Sequence, residues 1–451
     1  MVDLQQSRAA IDRIDAELAR LFEARMEAAA EIAVYKQAMG LPIRDPAREA
    51  VVLAQNADRI TDPALRPYYA ALLQALMGCS RDYQAEFLQP DSPERIGVRN
   101  PEGRCPVILR RGCLAQAGAL LNLNRRVFLV IDEGVPTEFA RSLATQCGQA
   151  ACYPLPRGEA SKSPARLGEL LEAMLDFGMN RSDCVLVLGG GVAGDLAGLA
   201  AALYMRGIDW YNCPSTSLSM VDSSIGGKTA VNLGGVKNSI GAFHNPSAVL
   251  IDPALLESLP RRELVSGLAE AVKMGLTHDA ALFERFEDPA GYGAIESIIA
   301  AALRVKRAVV EADPREGGLR RVLNFGHTLG HGIEAASDGA LLHGECVGLG
   351  MLPLCAPAVR TRLRTVLERL GLPTSLKGLQ INPERVLAAI LHDKKTRADG
   401  SISVVMVPEP GHFELRRLSP EALRELIACL FEDRAPSAPF GIPESKGNLY
   451  E

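Results

Sequence analysis

The chain has 451 residues, enough for two to four domains, and its 47% hydrophobic and 23% charged content supplies real cores, which excludes disorder as the dominant state. With 49 basic and 54 acidic residues the net charge is −5, and 5% aromatic content with a single Trp offers no stacking platform, so nucleic-acid and anionic-membrane partners are not expected. Ten scattered cysteines, none in C-x-x-C spacing, read as reduced thiols of a soluble cytoplasmic protein, not as a disulfide frame or a thiolate zinc site.

The opening MVDLQQSRAAIDRID is charged from residue 3 and has no apolar core, so no signal peptide is expected. Residues 1–39 lack Gly and Pro, and Leu4, Ile11, Ile14, Leu18, Leu21 and Ile32 recur at helical spacing, predicting one long helix ended by Gly40-Leu41-Pro42. Helical stretches follow over about 46–59 and 63–87. Segment 88–106 holds four prolines and two glycines, a composition read as free of regular elements; this sets a helical domain at 1–89 and a linker at 90–106. From 107 to 253 the apolar runs VFLVI (127–131) and CVLVLGGG (184–191) alternate with amphipathic segments, as in an α/β layer with parallel strands. Val185–Met205 has one charge, Asp195, and five glycines, which suits a buried strand–turn–helix better than a membrane span. Residues 254–431 read as mainly helical, with late strands near 401–407 and 412–416, and the Pro-rich 432–451 as a flexible tail.

In the first helix Arg25 and Lys36 are 36 − 25 = 11 residues apart, three turns and ~16 Å on one face, where long side chains can clamp a small anion. Arg8 lies 17 residues before Arg25, ~25 Å along a straight helix, so it can share that ligand only from a second copy of the chain. By spacing alone the favoured reading is that these are the solvated charges of an amphipathic helix. The wider pattern decides: residues 1–88, with SRAAIDRID, EARMEAAAEIAVYK, LPIRDPAREA and CSRDYQ, resemble the all-helical chorismate mutases. The resemblance implies Arg8 of a partner, Arg25 and Arg48 around two carboxylates. It implies Lys36 and Gln84 on the breaking ether oxygen, Asp45 and Glu49 near the ring hydroxyl, and Ser80 in the same site. A Claisen rearrangement fits such residues, because it needs a dianion held in a reactive chair and charge stabilised on one oxygen, with no nucleophile or cofactor.

Farther on, Gly189-x-Gly191-x-x-Gly194 opens a helix after an apolar strand, the shape of a pyrophosphate-binding turn, though such turns are common in α/β folds. Of seven histidines, His327, His331 and His343 fall in NFGHTLGHGIE and LLHGE; the i, i+4 pair has zinc spacing, with capping or core histidines as the bland reading. Glu270 and Lys273 in SGLAEAVK, with Asp222, Lys228, Lys237 and Asn238 between glycines, suggest a phosphorylated polyhydroxy substrate. Residues from about 105 to 420 resemble 3-dehydroquinate synthase, through GGGVAGDLAG, YMRGIDW, SMVDSSIGGKTAVN, KNSIGAFHNP, LPRRELVSGLAEAVK, RVLNFGHTLGHGIE, LLHGECVGLGM and LHDKKTRADG.

That resemblance implies zinc, replaceable by cobalt, on Glu270, His327 and His343. It makes His331 a proton-transfer group with Glu316 as its acidic counterpart. Arg206, Asp222, Lys228, Lys237, Asn238, Lys273, Lys306, Arg320, Asn324 and Lys394 hold phosphate, carboxylate and hydroxyls. NAD lies on Gly191, Val192, Ala193, Gly194 and Asp195, with Asp132, Glu159, Lys162, Ser215 and Thr216 around its ends and Lys228 and Lys237 in reach. In the family NAD is recovered through an internal redox cycle. Two stretches depart from the family pattern: Pro214-Ser215-Thr216 stands for Pro-Thr-Thr, and NLGGVKN for Asn-His-Pro-Leu-Gly-Lys-Asn.

The expected protein is therefore an all-α mutase domain followed by a dehydroquinate-synthase-like unit: an α/β nucleotide-binding domain plus a mainly helical metal-binding domain. Its expected reactions are chorismate to prephenate, and 3-deoxy-arabino-heptulosonate 7-phosphate to 3-dehydroquinate plus phosphate, run by a homodimer on small molecules. The alternative is a cyclase for another sugar phosphate, with the helical part sensing or dimerising without turnover.

Overall fold

A computed structural model describes residues 4–88, 95–101, 103–316, 318–391, 401–436 and 442–447. The chain forms two compact units, Met1–Gly97 and Val98–Glu451.

The first unit is three helices, α1 (Leu4–Ala38), α2 (Pro46–Ala57) and α3 (Arg66–Leu88). The break after α1 comes at Gly40, whose φ of 63° is open to glycine at no steric cost. The Asp45 carboxylate accepts the Arg48 N–H at 3.0 Å and Pro46 opens the first turn, so α2 starts where its free N–H groups are capped. α1 packs on α3 through small or flexible residues, Met26, Ala29, Ala30 and Ala33, facing Leu73 and Met77. The apolar positions that predict the helix lie elsewhere: Leu4 (61% exposed), Ile14 (58%) and Leu21 (49%) form an outward stripe. With 23 residues against 35, α3 covers only the C-terminal part of α1.

Two strands form inside the segment read as a linker, β1 (Arg95–Asn100), within which the second unit begins, and β2 (Gly103–Leu109). The proline count misled because of where the prolines fall. Pro101 lies between the strands, and Pro106 precedes Val107, where the ladder to the neighbouring strand starts, so no missing N–H interrupts that ladder. Strands β3 (Arg126–Asp132), β4 (Gln149–Leu155), β5 (Cys184–Gly189), β6 (Asp209–Pro214) and β9 (Ala248–Ile251) alternate with α4 (Ala117–Leu120), α5 (Thr137–Ala144), α6 (Pro164–Asp176) and α7 (Gly191–Leu203). A hairpin, β7 (Lys228–Leu233) and β8 (Val236–Phe243), stands outside the main sheet.

The sheet runs β1-β2-β9-β6-β5-β3-β4, and every pair from β2 to β4 is parallel. β5 is buried at all six positions, as a parallel strand covered on both faces must be. Val185 and Val187 pack with Phe128 and Val130 against Leu196 and Leu199 of α7 and Leu170 and Met174 of α6. From β3 the chain steps outward to β4, then returns past β3 to β5 and proceeds the other way to β6. That reversal opens a crevice at the carboxyl ends of β3 and β5, the place where open α/β sheets bind ligands.

The remainder is mainly helical: α8 (Arg261–His278), α9 (Ala280–Glu287), α10 (Ile295–Ala312), α11 (His327–Ala336), α12 (His343–Met351), α13 (Pro357–Leu370), α14 (Pro383–Leu391) and α15 (Pro420–Glu432). Strands β10 (Ile402–Glu409) and β11 (His412–Leu418) pair antiparallel. The segment read as a flexible tail contains a third strand, β12 (Ile442–Gly447), paired antiparallel with β11. Its backbone satisfies an edge of β11, which composition alone does not reveal.

Candidate active sites

In the second unit, α8 is buried from Val265 through Thr277 and carries Glu270 and Lys273 one turn apart inside the protein. They form an ion pair, and Lys273 Nζ also donates to the Leu323 carbonyl at 2.8 Å. His327 and His343 are the first residues of α11 and α12, and each places Nε2 at 3.4 Å from Glu270 Oε1. Glycines allow this approach. A Cβ on Gly344 would stand 1.8 Å from the Ser266 carbonyl oxygen, so α12 meets α8 backbone to backbone, and Gly344 N–H donates to Ser266 Oγ at 3.0 Å. Gly326, just before His327, has φ 76° and leaves no room for a Cβ beside Met351. Arg262 grips the Glu345 carboxylate with Nε at 2.7 Å and Nη2 at 2.8 Å, while Glu345 caps the Leu342 N–H. Together these contacts hold the start of α12, and so His343, against α8.

The remaining polar atoms suit a divalent cation. His327 Nδ1 faces the Phe325 carbonyl at 3.1 Å and His343 Nδ1 faces Glu334 Oε2 at 3.1 Å, acceptors that place a proton on Nδ1 and turn the Nε2 lone pairs toward Glu270. Both Glu270 oxygens are buried and receive no hydrogen bond of good geometry. Ligands ~2.1 Å from a tetrahedral ion lie ~3.4 Å apart, which the carboxylate-to-imidazole spacings match. Burial raises the Glu270 carboxyl, but Lys273, His327 and His343 outweigh it and keep the group ionised. Burial keeps His327 neutral. It also lowers His343, but the Glu270 and Glu334 carboxylates hold that ring up at about 9, so metal uptake displaces a proton there.

Around this trio most of the predicted cations sit paired. Lys306 Nζ is 2.7 Å from Asp222 Oδ1; burial lowers the lysine, while Lys306 and Lys273 overcome burial and hold Asp222 below the usual carboxylate range. Lys228 pairs with Glu316, Lys237 with Glu334 at 2.8 Å, and Lys162 with Asp195 at 2.5 Å and with Asn238. Burial lowers Arg320, which donates to the carbonyls of Pro314 and Gly226. Glu159 accepts from Asn232 at 2.7 Å. His331 is exposed on α11, its ring 5.2 Å from that of His327 and 5.8 Å from that of His343. Asn324 ends the short helix just before His327 and is half-buried. Arg206 stands exposed in a left-handed turn with Met205 and no described contact joins it to the cluster. Lys394 lies outside the described residues.

At the sheet reversal, Asp132 ends β3, and Gly189 ends β5 with α7 starting at Gly191. A Cβ on Gly189 would meet Ala193 at 2.6 Å, and one on Gly191 would meet Ser223 Oγ at 3.1 Å, so the turn packs closely here, with Ala193 and Gly194 buried and Gly191, Val192 and Asp195 half-buried. Asp132, Ser215 and Thr216 line one cleft together with Arg157, Leu255, Ser258 and Pro260. These last four escape sequence reading, because nothing in their local pattern marks them as cleft residues.

In the first unit, Arg25 Nη1 donates to the Leu76 carbonyl at 2.9 Å and to Ser80 Oγ. Lys36 Nζ donates to the Ile43 carbonyl and Glu49 pairs with Arg81. Gln84 is buried with its Oε1 unpartnered, an orphaned polar atom that a ligand can satisfy. Asp45 and Arg48 are exposed at the start of α2, and Arg8 is exposed on α1 far from this group. Arg81 joins the cluster unforeseen.

Three family models match the chain: chorismate mutase type II over residues 7–85, 3-dehydroquinate synthase N-terminal over 152–266, and 3-dehydroquinate synthase C-terminal over 267–396. A 3-dehydroquinate synthase of Rhodospirillum rubrum is 44% identical over 67% of this chain and 85% of its own length. One of Symbiobacterium thermophilum is 42% identical over 72% and 97%. Among solved structures, a 2-epi-5-epi-valiolone synthase of Streptomyces hygroscopicus subsp. jinggangensis 5008 with NAD+ and Zn2+ bound is 29% identical with a TM-score of 0.65, over 72% of this chain and 96% of that one. A 2-deoxy-scyllo-inosose synthase complexed with carbaglucose-6-phosphate, NAD+ and Co2+ has TM-score 0.68 over 74% and 99%; at 23% identity it shows the shared fold alone.

Proposed function

This chain belongs to the 3-dehydroquinate synthase family and carries a chorismate mutase type II domain at its N-terminus, and on that premise we propose that it converts 3-deoxy-arabino-heptulosonate 7-phosphate to 3-dehydroquinate and phosphate, and chorismate to prephenate. The observation that carries the first reaction is Glu270 between two imidazoles at 3.4 Å, ringed by Lys228, Lys237, Lys306 and Arg320. One oxygen and two nitrogen donors suit zinc, with cobalt able to replace it. When bound, the metal supplies Lewis acidity at a substrate hydroxyl and NAD supplies a recoverable hydride acceptor.

The protein's own residues do the rest. Lys228, Lys306 and Arg320, each paired with a carboxylate or backbone carbonyl, release those partners to phosphate and carboxylate oxygens. His331, exposed beside the trio, exchanges protons with Glu316 as its acidic counterpart. Asn324, Asn238, Lys273 and Lys394 complete the substrate shell, while Asp132, Glu159, Lys162, Ser215 and Thr216 hold the dinucleotide along the glycine turn at Gly191. Arg206, outward on a strained turn, acts on substrate only if it is brought to the shell.

For the mutase reaction, Arg25 and Lys36 clamp the dianion, and Gln84 donates its Nε2–H to the ether oxygen. Arg8 serves from a second chain. The outward apolar stripe of α1 supports a homodimer, because exposing large side chains along a whole helix face is costly. No described helix is long and apolar enough to cross a membrane, and ten cysteines without a disulfide partner fit a reducing cytoplasm.

The test offers the protein each phosphorylated sugar in turn: the heptulosonate, sedoheptulose 7-phosphate and glucose 6-phosphate. Phosphate release from the heptulosonate alone supports the proposal. Release from one of the others instead overturns the substrate, and unchanged chorismate absorbance on adding enzyme overturns the mutase assignment. Gln84→Glu adds a sharper check on the mutase site. An amide does not titrate, whereas a buried carboxyl donates only when protonated, so kcat/KM of the variant is expected to fall as pH rises while that of the native chain does not follow the same limb.

A further inference from the structure

Glu334 accepts from His343 Nδ1 at 3.1 Å through one oxygen and from Lys237 Nζ at 2.8 Å through the other. It sits seven residues after His327 on α11, two turns along the same helix face. One half-buried carboxylate therefore ties three elements together: α11, which carries His327; α12, which begins with His343; and β8, which presents Lys237. Burial raises its carboxyl, but the hydrogen bond and charge of His343 and the pairing with Lys237 outweigh that and bring it to about 2.

We propose that Glu334 is the positioning residue of the metal centre, fixing the tautomer and ring orientation of His343 so that its Nε2 faces Glu270 at the spacing set by His327. The inference rests on the reading of Glu270, His327 and His343 as metal ligands. His327 needs no such helper, because its Nδ1 is already held by the Phe325 carbonyl two residues back on the same segment. His343 begins a different helix, and Leu342, the residue before it, gives its N–H to Glu345 and its carbonyl to the Cys346 N–H. Without Glu334 the ring can rotate about its own side-chain bonds, and the Nδ1 proton has no partner that favours it there. An acceptor behind a ligating imidazole fixes its orientation, and losing that partner altogether typically weakens metal binding about tenfold to a hundredfold. Lys237 contributes differently, through charge: it neutralises Glu334 and carries no hydrogen bond to His343.

The test uses full-length protein stripped of metal and titrated with Zn2+ alone by calorimetry, then with Co2+ while the visible ligand-field spectrum is recorded, with no substrate present. Glu334→Leu is expected to weaken Zn2+ binding about tenfold to a hundredfold and alter the Co2+ spectrum. Glu334→Gln keeps an oxygen for the Nδ1 proton, so its affinity is expected within about threefold of the native protein, with the native spectrum restored. Lys237→Met is likewise expected to stay within about threefold. Native affinity and spectrum in Glu334→Leu overturn the proposal. Should Glu334→Leu fail to fold, a Glu334→Gln protein that folds but loses binding as fully as His343→Ala overturns it equally, because the amide retains the acceptor. His343→Ala separates this from failure of the underlying reading: native Zn2+ affinity in that variant means that these residues are not the ligands at all.

Discussion

His343→Ala is expected to remove metal-dependent cyclase turnover by roughly a thousandfold or more, while chorismate mutase turnover stays within a few-fold of the native value. The ring is one of only three side-chain donors in the trio, and its Nε2 at 3.4 Å from Glu270 leaves no other imidazole in its place. His331, the nearest substitute, lies exposed with its ring 5.2 Å from that of His327, on the outer side of the group. A metal supplying several kcal/mol at the reacting hydroxyl has no counterpart in the remaining residues. The first unit has its own buried face at Met26, Ala29, Ala30, Ala33, Leu73 and Met77. The measurement is phosphate release and chorismate loss on the same preparation, with circular dichroism to establish folding. Equal collapse of both rates in a folded variant contradicts separate sites.

Arg25→Ala and Arg8→Ala are each expected to suppress mutase turnover by ~2–5 kcal/mol, roughly thirtyfold to several-thousandfold, because each strips a charged partner from a bound carboxylate. Mixing the two inactive variants under conditions of subunit exchange is expected to restore activity at about one site in four. Half of the dimers formed at random are mixed, and each mixed dimer holds one site with both arginines and one with neither. The geometry behind this is the ~25 Å of helix between Arg8 and Arg25 on the unbroken α1. No recovery after demonstrated exchange means that Arg8 does not cross to a partner. Cyclase turnover measured alongside serves as the internal control.

Much of this protein could be read one segment at a time. The absence of Gly and Pro before Gly40 specifies α1, and Asp45-Pro46 specifies the start of α2, because helix continuation and capping are local. The apolar runs at 127–131 and 184–191 become β3 and β5, and the glycines after β5 become the tight turn into α7. Residue types for both sites were also legible, since long motifs carry them in order. Reading failed where position outweighed composition. Prolines at 101 and 106 argued against strands, yet one lies between β1 and β2 and the other inside β2, and the stretch after 432 contributes β12 to an edge that no local pattern shows.

The sequence by itself determined the succession of elements, the two families and the residues available for each reaction, because these follow from short-range backbone preferences and from motifs contiguous in the chain. Only the tertiary structure decided which of those residues meet. Spacing favours His327 with His331, four apart on one helix, yet it is His343 that joins His327 and Glu270. That choice is made by the backbone approach of Gly344 to Ser266, the grip of Arg262 on Glu345 and the hydrogen bond from His343 to Glu334. Such contacts join residues tens of positions apart, and their geometry depends on how whole helices pack, which no local window of the sequence contains.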